Sequence, residues 1–390
     1  MGADTGRIPY QWGSGGSGKR RMVFLLREKA RNKIETYEEN AVLMTYLDDL
    51  NCRIRADRPL ARRETIATLW GEGTEFVQVC FQSRGCRYSD MGACIMCDYG
   101  CGRNLEPYEI ENYCSTAPVF EDSGVKEILI GTYGSSLDEY EMSETCFRKI
   151  LERLRQTDIP MIGFETHCDT VSSGKLKEIK DYLFDKEIYI EMGFESLDDK
   201  VRERYLNKRL KIKNLEKAME LVHRFGFLVV LNILIGAPFL SPRQQIEDVC
   251  ASVKWAFDNG ADNVVLFPMN VKPYTVLYRI MQKGMYKPVS HWLVINTLDE
   301  LAQILTDDQL AHVGLSWYGE RSDIYKKPFL QMVTPRACDK CRGKIFRFYG
   351  MYQAEASGSR RRELIREILQ TPVECDCREE EHWLEGMAVK

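Results

Sequence analysis

Four things are missing from this sequence, and each absence argues against a class of protein. No apolar run approaches the ~20 residues that a membrane span requires, and charged residues make up 29% of the 390. There is no basic surplus either. Lys+Arg 54 against Asp+Glu 58 leaves a net charge of −4, so bulk charge gives binding to a polyanion no support. Short basic groups at Lys19-Arg20-Arg21, Arg62-Arg63 and Arg360-Arg361-Arg362 read as solvated helix faces or chain ends. Finally, no Gly-rich dinucleotide fingerprint follows the first strand-like segment. The first residues also lack the ordered basic, apolar and small-residue blocks of a signal peptide, so the expectation is a soluble, cytoplasmic protein without a membrane partner.

Cysteine, by contrast, is abundant. The chain has 14, and in a reducing compartment thiols and metal ligands are expected in preference to disulfides. Seven of them fall into two clusters, separated by a long alternating pattern. Residues 1–22, with Gly-Ser-Gly-Gly-Ser-Gly at 13–18, read as a flexible arm. Residues 23–74 read as an N-terminal helical cap. From residue 75 to 270 short apolar runs alternate with amphipathic stretches, the mark of repeated β-α units. Six strands are predicted: Phe76–Phe81, Val125–Gly131, Met161–Glu165, Ile188–Phe194, Leu228–Ile235 and Asn263–Pro268. Helices are predicted between them at Ser143–Gln156, Lys175–Phe184, Leu215–Phe225 and Gln244–Asn259. The fold class is α/β, a partial (β/α)6 TIM-like barrel with chemistry at the C-terminal strand ends; a doubly wound sheet is the alternative. Residues 271–390 form a helical C-terminal region that carries the second cysteine cluster.

The first cluster follows the first predicted strand, where Cys86, Cys94 and Cys97 occupy one loop. Cys94-Ile95-Met96-Cys97 offers two thiolates to one metal centre, and Cys86 can fold back to the same face. Three ligands on a four-iron cluster leave one iron open for a cofactor, whereas an electron-transfer cluster takes four. Cys101 lies close enough in sequence to complete a four-thiolate zinc site instead. Cys80, Cys114 and Cys168 read as buried small residues.

The stretch from Val79 to Gly100, with its Cys-x7-Cys-x2-Cys spacing, resembles the cluster loop of radical S-adenosylmethionine (SAM) enzymes, and its long form is similar to the archaeosine-biosynthesis radical SAM proteins, relatives of the elongator catalytic subunit. The likeness extends to Ile128–Asp138, to Phe194–Asp198 with Asn207-Lys208, and to Gly236–Ser241. It implies a 4Fe-4S cluster on Cys86, Cys94 and Cys97, with SAM chelated to the open iron and reductively cleaved to a 5′-deoxyadenosyl radical. It further implies cofactor contacts from Tyr99, Gly131, Thr132, Gly134, Ser135, Glu195, Ser196 and Asn232. Glu165, Glu195 and His167 are the catalytic candidates, and an external donor such as flavodoxin or ferredoxin would supply the electron. The likeness weakens at strand ends, at Phe164–Asp169, Pro268–Thr275 and Tyr286–Trp292, where a barrel selects its substrate. Asn270, Lys272, Tyr274 and His291 are therefore the substrate-binding candidates.

Cys338, Cys341, Cys375 and Cys377 form the second cluster, a CxxC and a CxC separated by a helical stretch through Arg360–Gln370. Four such thiolates suit structural zinc, an auxiliary iron-sulfur cluster or, failing both, free thiols. Three functions compete. The first is a radical SAM enzyme abstracting hydrogen from a small nucleoside-like or amino-acid-bearing substrate. The second is an archaeosine-type lyase subunit modifying tRNA beside a partner. The third is a zinc-stabilised RNA-binding module without redox chemistry.

Overall fold

The computed structural model describes residues 43–57, 66–71, 75–99, 102–316 and 332–372, together with Cys375 and Cys377. The chain divides into two units, Met1–Tyr46 and Leu47–Lys390; of the first, residues 43–46 are described, and they are helical. The expected arm at 1–22 and Cys101 lie outside the described residues.

The second unit is organised by one eight-stranded sheet in the sequential order β1 to β8. The strands are β1 Ala67–Trp70, β2 Phe76–Phe81, β3 Glu127–Thr132, β4 Met161–Thr166, β5 Glu187–Glu195, β6 Leu228–Ile235, β7 Asn263–Pro268 and β8 Val313–Leu315. β1 pairs antiparallel with β2, and every later neighbour is parallel. Because strand order follows chain order, there is no reversal point of the kind a doubly wound sheet requires. The result is a curled half-barrel. It has one parallel strand more than the six expected, plus an antiparallel edge inside the segment read as a purely helical cap.

Both faces of the sheet are covered, and its side chains divide between them with period two. Outward residues such as Ile128, Ile130, Ile162, Phe164, Ile190, Met192, Val229 and Leu231 are buried against the helices. Inward, β5 presents Tyr189 and Glu191, β4 Gly163 and Glu165, and β6 Val230 and Asn232. A Cβ at Gly163 would lie 2.1 Å from the Tyr189 ring, so the ring occupies the space that glycine leaves. The covering helices start where the sequence caps them. Ser143 caps α4 (Glu144–Arg155), Ser172 caps α5 (Ser173–Tyr182), and Ser241 with Gln244 forms a capping box on α7 (Pro242–Asp258). The rest are α1 (described here over 47–56), α2 (Arg87–Asp90), α3 (Pro107–Thr116), α6 (Ile212–Arg224), α8 (Val276–Gln282), α9 (His291–Ile304), α10 (Asp307–Ala311), α11 (Asp339–Ala354) and α12 (Gly358–Gln370). Among the described residues no helix is long and apolar enough to cross a membrane.

Candidate cluster site at the barrel mouth

β2 delivers the chain into the first cysteine loop, and three separate segments hold that loop. From α1, the Arg55 guanidinium donates to the carbonyls of Ser89 (2.7 Å), Ala93 (2.7 Å), Cys94 (2.8 Å) and Cys97 (2.8 Å). Asn51 on the same helix donates to Gly92 O and Ala93 O. Gly92 turns at φ +80, and a Cβ there would lie 2.2 Å from Asp48 O, so no larger residue fits. From the segment after β5, Asn207 O and Leu206 O accept the amides of Cys94 and Ile95. Cys94 itself adopts φ +57, an αL conformation uncommon outside glycine and asparagine. The third support is the turn after β3. Gly134 packs so closely that a Cβ would come 2.6 Å from Cys86 Cβ.

Cys86, Cys94 and Cys97 are free, partly accessible thiols. Burial pushes the Cys86 thiol up to about 12 and the Cys94 thiol up to about 11, the latter moderated by the Lys208 ammonium. Among the described residues, the donor sets that close to within 4.8 Å of one another are Cys338–Cys341–Cys375–Cys377 and His167–Cys168–Asp169. The three loop thiols do not close to that spacing. One tetrahedral ion with Zn–S near 2.3 Å needs sulfurs about 3.8 Å apart.

Around the loop the strand ends assemble buried charge. Lys208 Nζ donates to Glu195 Oε1 at 2.7 Å, and Glu195 sits at φ +70 where the β5–β6 register shifts. Glu165 accepts from Gln78 at 3.1 Å; burial raises its carboxyl to about 7 against the pull of Lys208 and Lys272. Directly opposite Glu165 in register on β5, Glu191 accepts from Asn232 at 2.8 Å and burial lifts it to about 8. Lys272 pairs with Asp98 at 3.2 Å and lies 4.1 Å over the Tyr99 ring, which also stacks on Tyr133. The fold thus brings together Tyr99, Glu165, Glu195 and Lys272 of the residues singled out from sequence.

The remaining candidates are engaged in other ways. Glu141, which sequence reasoning did not single out, organises the glycine-serine turn: its carboxylate accepts from Ser135 N (2.8 Å), Thr132 Oγ1 (3.0 Å) and Ser83 Oγ (3.4 Å), and burial raises it to about 8. Thr132 Oγ1 accepts in turn from Gly134 N. A Cβ on Gly131 would meet Glu165 Oε2 at 2.9 Å. Ser196 Oγ donates to Asp248 on α7. His167 Nδ1 accepts from Asp169 N at 3.2 Å, its ring lies 4.4 Å from that of Tyr88, and burial lowers it to about 4, which leaves a neutral ring with a buried Nε2 that has no partner. Asn232 Oδ1 and Asn270 Oδ1 are likewise buried without a partner. Tyr274, at φ +61, packs beside Ile54, Ile95 and Val276. His291 is set apart from the others: its ring is packed against Phe346 and Tyr349 of α11, with Nδ1 3.0 Å from Tyr349 Oη. No sequence signal distinguished Arg55, Asn51 or Glu141 from ordinary surface residues, whereas Lys208 lay inside a noted motif.

The second cysteine cluster has a different shape. All four sulfurs lie within 4.8 Å of one another, and Cys338 Sγ lies 3.5 Å from Cys341 Sγ. Cys338 is the N-cap of α11, and Cys341 is buried one turn along it. Burial works against ionisation of Cys338, but the converging thiols Cys377, Cys375 and Cys341 overcome it and draw its pKa down to about 6. Spacing near 3.8 Å is what one tetrahedral ion requires.

No family profile matches the chain. It is 29% identical over 236 residues to the archaeosine synthase subunit beta of Methanosarcina acetivorans, covering 58% of this chain and 67% of that one. It is 25% identical over 294 residues to an uncharacterised protein of Methanocaldococcus jannaschii, covering 72% and 75%. Among solved structures, Elp3 of Methanocaldococcus infernus superposes at TM-score 0.44 with 16% identity, covering 63% of this chain; the chain spans 59% of that structure's length. With a three-cysteine loop at the strand ends of a half-barrel and relatives among the archaeosine synthase beta subunits, the chain resembles the radical SAM superfamily of enzymes.

Proposed function

We propose that the protein is a radical SAM enzyme in which Cys86, Cys94 and Cys97 hold a 4Fe-4S cluster and the strand ends present a substrate to it. The observation that carries this reading is the loop itself: three partly accessible thiols gathered at the strand ends on a backbone fixed by Arg55, Asn207 and Gly134. When held by Cys86, Cys94 and Cys97, such a cluster would supply the electron for reductive cleavage of SAM and so the radical chemistry by which hydrogen would be abstracted from the substrate. The chain's own share is positioning. Asp98 and Lys272 fix Tyr99 beside the loop, and Glu165 and Glu195 place carboxylates in a water-poor mouth where hydroxyl or ammonium groups of a ligand bind strongly. His167 Nε2–H and the amide oxygens of Asn232 and Asn270 are buried and unsatisfied, a cost that a polar ligand would remove. We infer a small nucleoside-like or amino-acid-bearing substrate, consistent with these donors and acceptors and with the net charge of −4.

A second reading has its own support. Two relatives are named archaeosine synthase subunit beta, and a subunit name points to a partner chain and to a modified tRNA nucleoside as substrate. The C-terminal thiols, at single-ion spacing, we assign to structural zinc rather than to an auxiliary cluster. Anaerobic incubation of the iron-reconstituted protein with SAM and dithionite tests the function. Formation of 5′-deoxyadenosine, increased by a free nucleoside or amino acid, supports the first reading; stimulation by tRNA alone supports the second. No 5′-deoxyadenosine from a protein with four irons bound refutes both.

A further inference from the structure

The segment 206–209 is tied to the cluster loop through residues 206–208 and to α1 through Asn207 and Arg209. Leu206 O and Asn207 O accept the amides of Ile95 and Cys94, and Lys208 O accepts Cys94 Sγ at 4.0 Å. Asn207 Nδ2 donates to Asp48 Oδ1 at 2.8 Å, and Arg209 pairs with Asp48 as well. The segment is thus held against the loop, and it carries one ammonium. The Lys208 side chain is 13% exposed and its partner Glu195 is 11% exposed. A Cβ on Gly193 would come 2.6 Å from Lys208 Nζ, so glycine leaves the ammonium its room, and the register shift at Glu195 turns the carboxylate towards it. Around this cation the acidic and thiol groups that interact with it are Glu195, Cys94 and Cys97, together with Glu165 at the end of β4 and Cys168 just after it.

We propose that Lys208, balanced by Glu195, is a positioning residue whose fixed charge sets the reduction potential of the iron-sulfur group held by Cys86, Cys94 and Cys97. This rests on the radical SAM reading above. One-electron reduction by an external donor adds one negative charge beside three thiolates. A cation held at the loop in a low-dielectric setting stabilises the reduced form more than the oxidised one, and a carboxylate there does the opposite. The pair gives the chain two levers of opposite sign on the same equilibrium.

The test is a potentiometric titration of the reconstituted full chain, without SAM, followed by the EPR signal of the reduced cluster. Lys208→Met shifts the one-electron equilibrium against reduction about tenfold, which is 59 mV, while Lys208→Arg stays within about twofold of the unsubstituted protein. Glu195→Gln shifts it the other way by a similar factor. A Lys208→Met protein with four irons bound and an unchanged midpoint overturns the proposal. If Lys208→Met binds no iron, Glu195→Gln decides: a raised midpoint supports the proposal, and an unchanged or lowered one overturns it. If the unsubstituted protein shows no four-iron signal, the radical SAM reading fails and this inference with it; a normal signal with insensitive midpoints sinks only the inference.

Discussion

Replacing Arg55 by methionine tests whether a helix outside the barrel builds the cluster loop. The substitution keeps the length of the stem and removes four charged hydrogen bonds of 2.7 to 2.8 Å. At about 1.5–3 kcal/mol per charged hydrogen bond a simple count would be large, but the carbonyls are not all orphaned. Ser89 O keeps the amide of Gly92, Cys94 O keeps that of Cys97, and Ala93 O keeps Asn51 Nδ2. The net loss is then nearer two bonds than four, about 3–6 kcal/mol, or a factor of about 10²–10⁴ in the equilibrium for local opening. Hydrogen exchange reads this directly at the Cys94 and Ile95 amides, which the loop bonds to Asn207 and Leu206. Their protection should fall by that factor in Arg55→Met and by less in Arg55→Lys, while amides in β4 to β6 remain as protected as before. Iron bound after reconstitution should drop in parallel. Unchanged exchange at Cys94 and Ile95 with full iron loading would refute the reasoning, since it would show the loop holding its shape without the guanidinium.

Three further outcomes are expected. Gly134→Ala forces a Cβ to within 2.6 Å of Cys86 Cβ and 2.4 Å of Glu141 Oε1, so it should lose most of its iron while its thermal midpoint stays within several degrees; retention of four irons would count against the packing argument. Cys375→Ser with Cys377→Ser should release one zinc per chain by metal analysis and destabilise the α11–α12 lobe, leaving the iron content unaltered; a loss of about four irons would instead assign an auxiliary cluster. From pH 6.5 to 8 the stability to denaturant should decline, because the carboxyls of Glu141 and Glu191 are held at about 8 in the folded chain and near 4.5 when unfolded. In that window the folded state binds more protons than the unfolded one, so the unfolding free energy falls as pH rises. Glu191→Gln should flatten the decline, and an unchanged slope would show that Glu191 is ionised when folded.

Sequence by itself determined the features that repeat over short distances. β2 to β7 lie within two residues of their expected bounds because a buried parallel strand must be a short apolar run between turn signals, whatever it packs against. The three loop cysteines and the four C-terminal ones stood out for the same reason: a ligand motif is local spacing. The short strands β1 and β8, of four and three residues, carried too little pattern to register, and they exist because β2 and β7 offer edges to pair with. What only the tertiary structure decided is which distant groups meet at the mouth. Arg55 reaches carbonyls 34 to 42 residues away, and Lys208 meets Cys94 across 114. Nothing in the local sequence of an arginine on an amphipathic helix marks it for such a place, since a surface arginine and a loop-building one share the same periodicity. The same holds for His291, named for substrate because the likeness weakens at Tyr286–Trp292; its burial against the Phe346 and Tyr349 rings of α11 has no local signal. The four-thiol site shows the converse, for spacing revealed its ligands, and only the convergence of Cys375 and Cys377 on the first turn of α11 favoured a single ion over a cube.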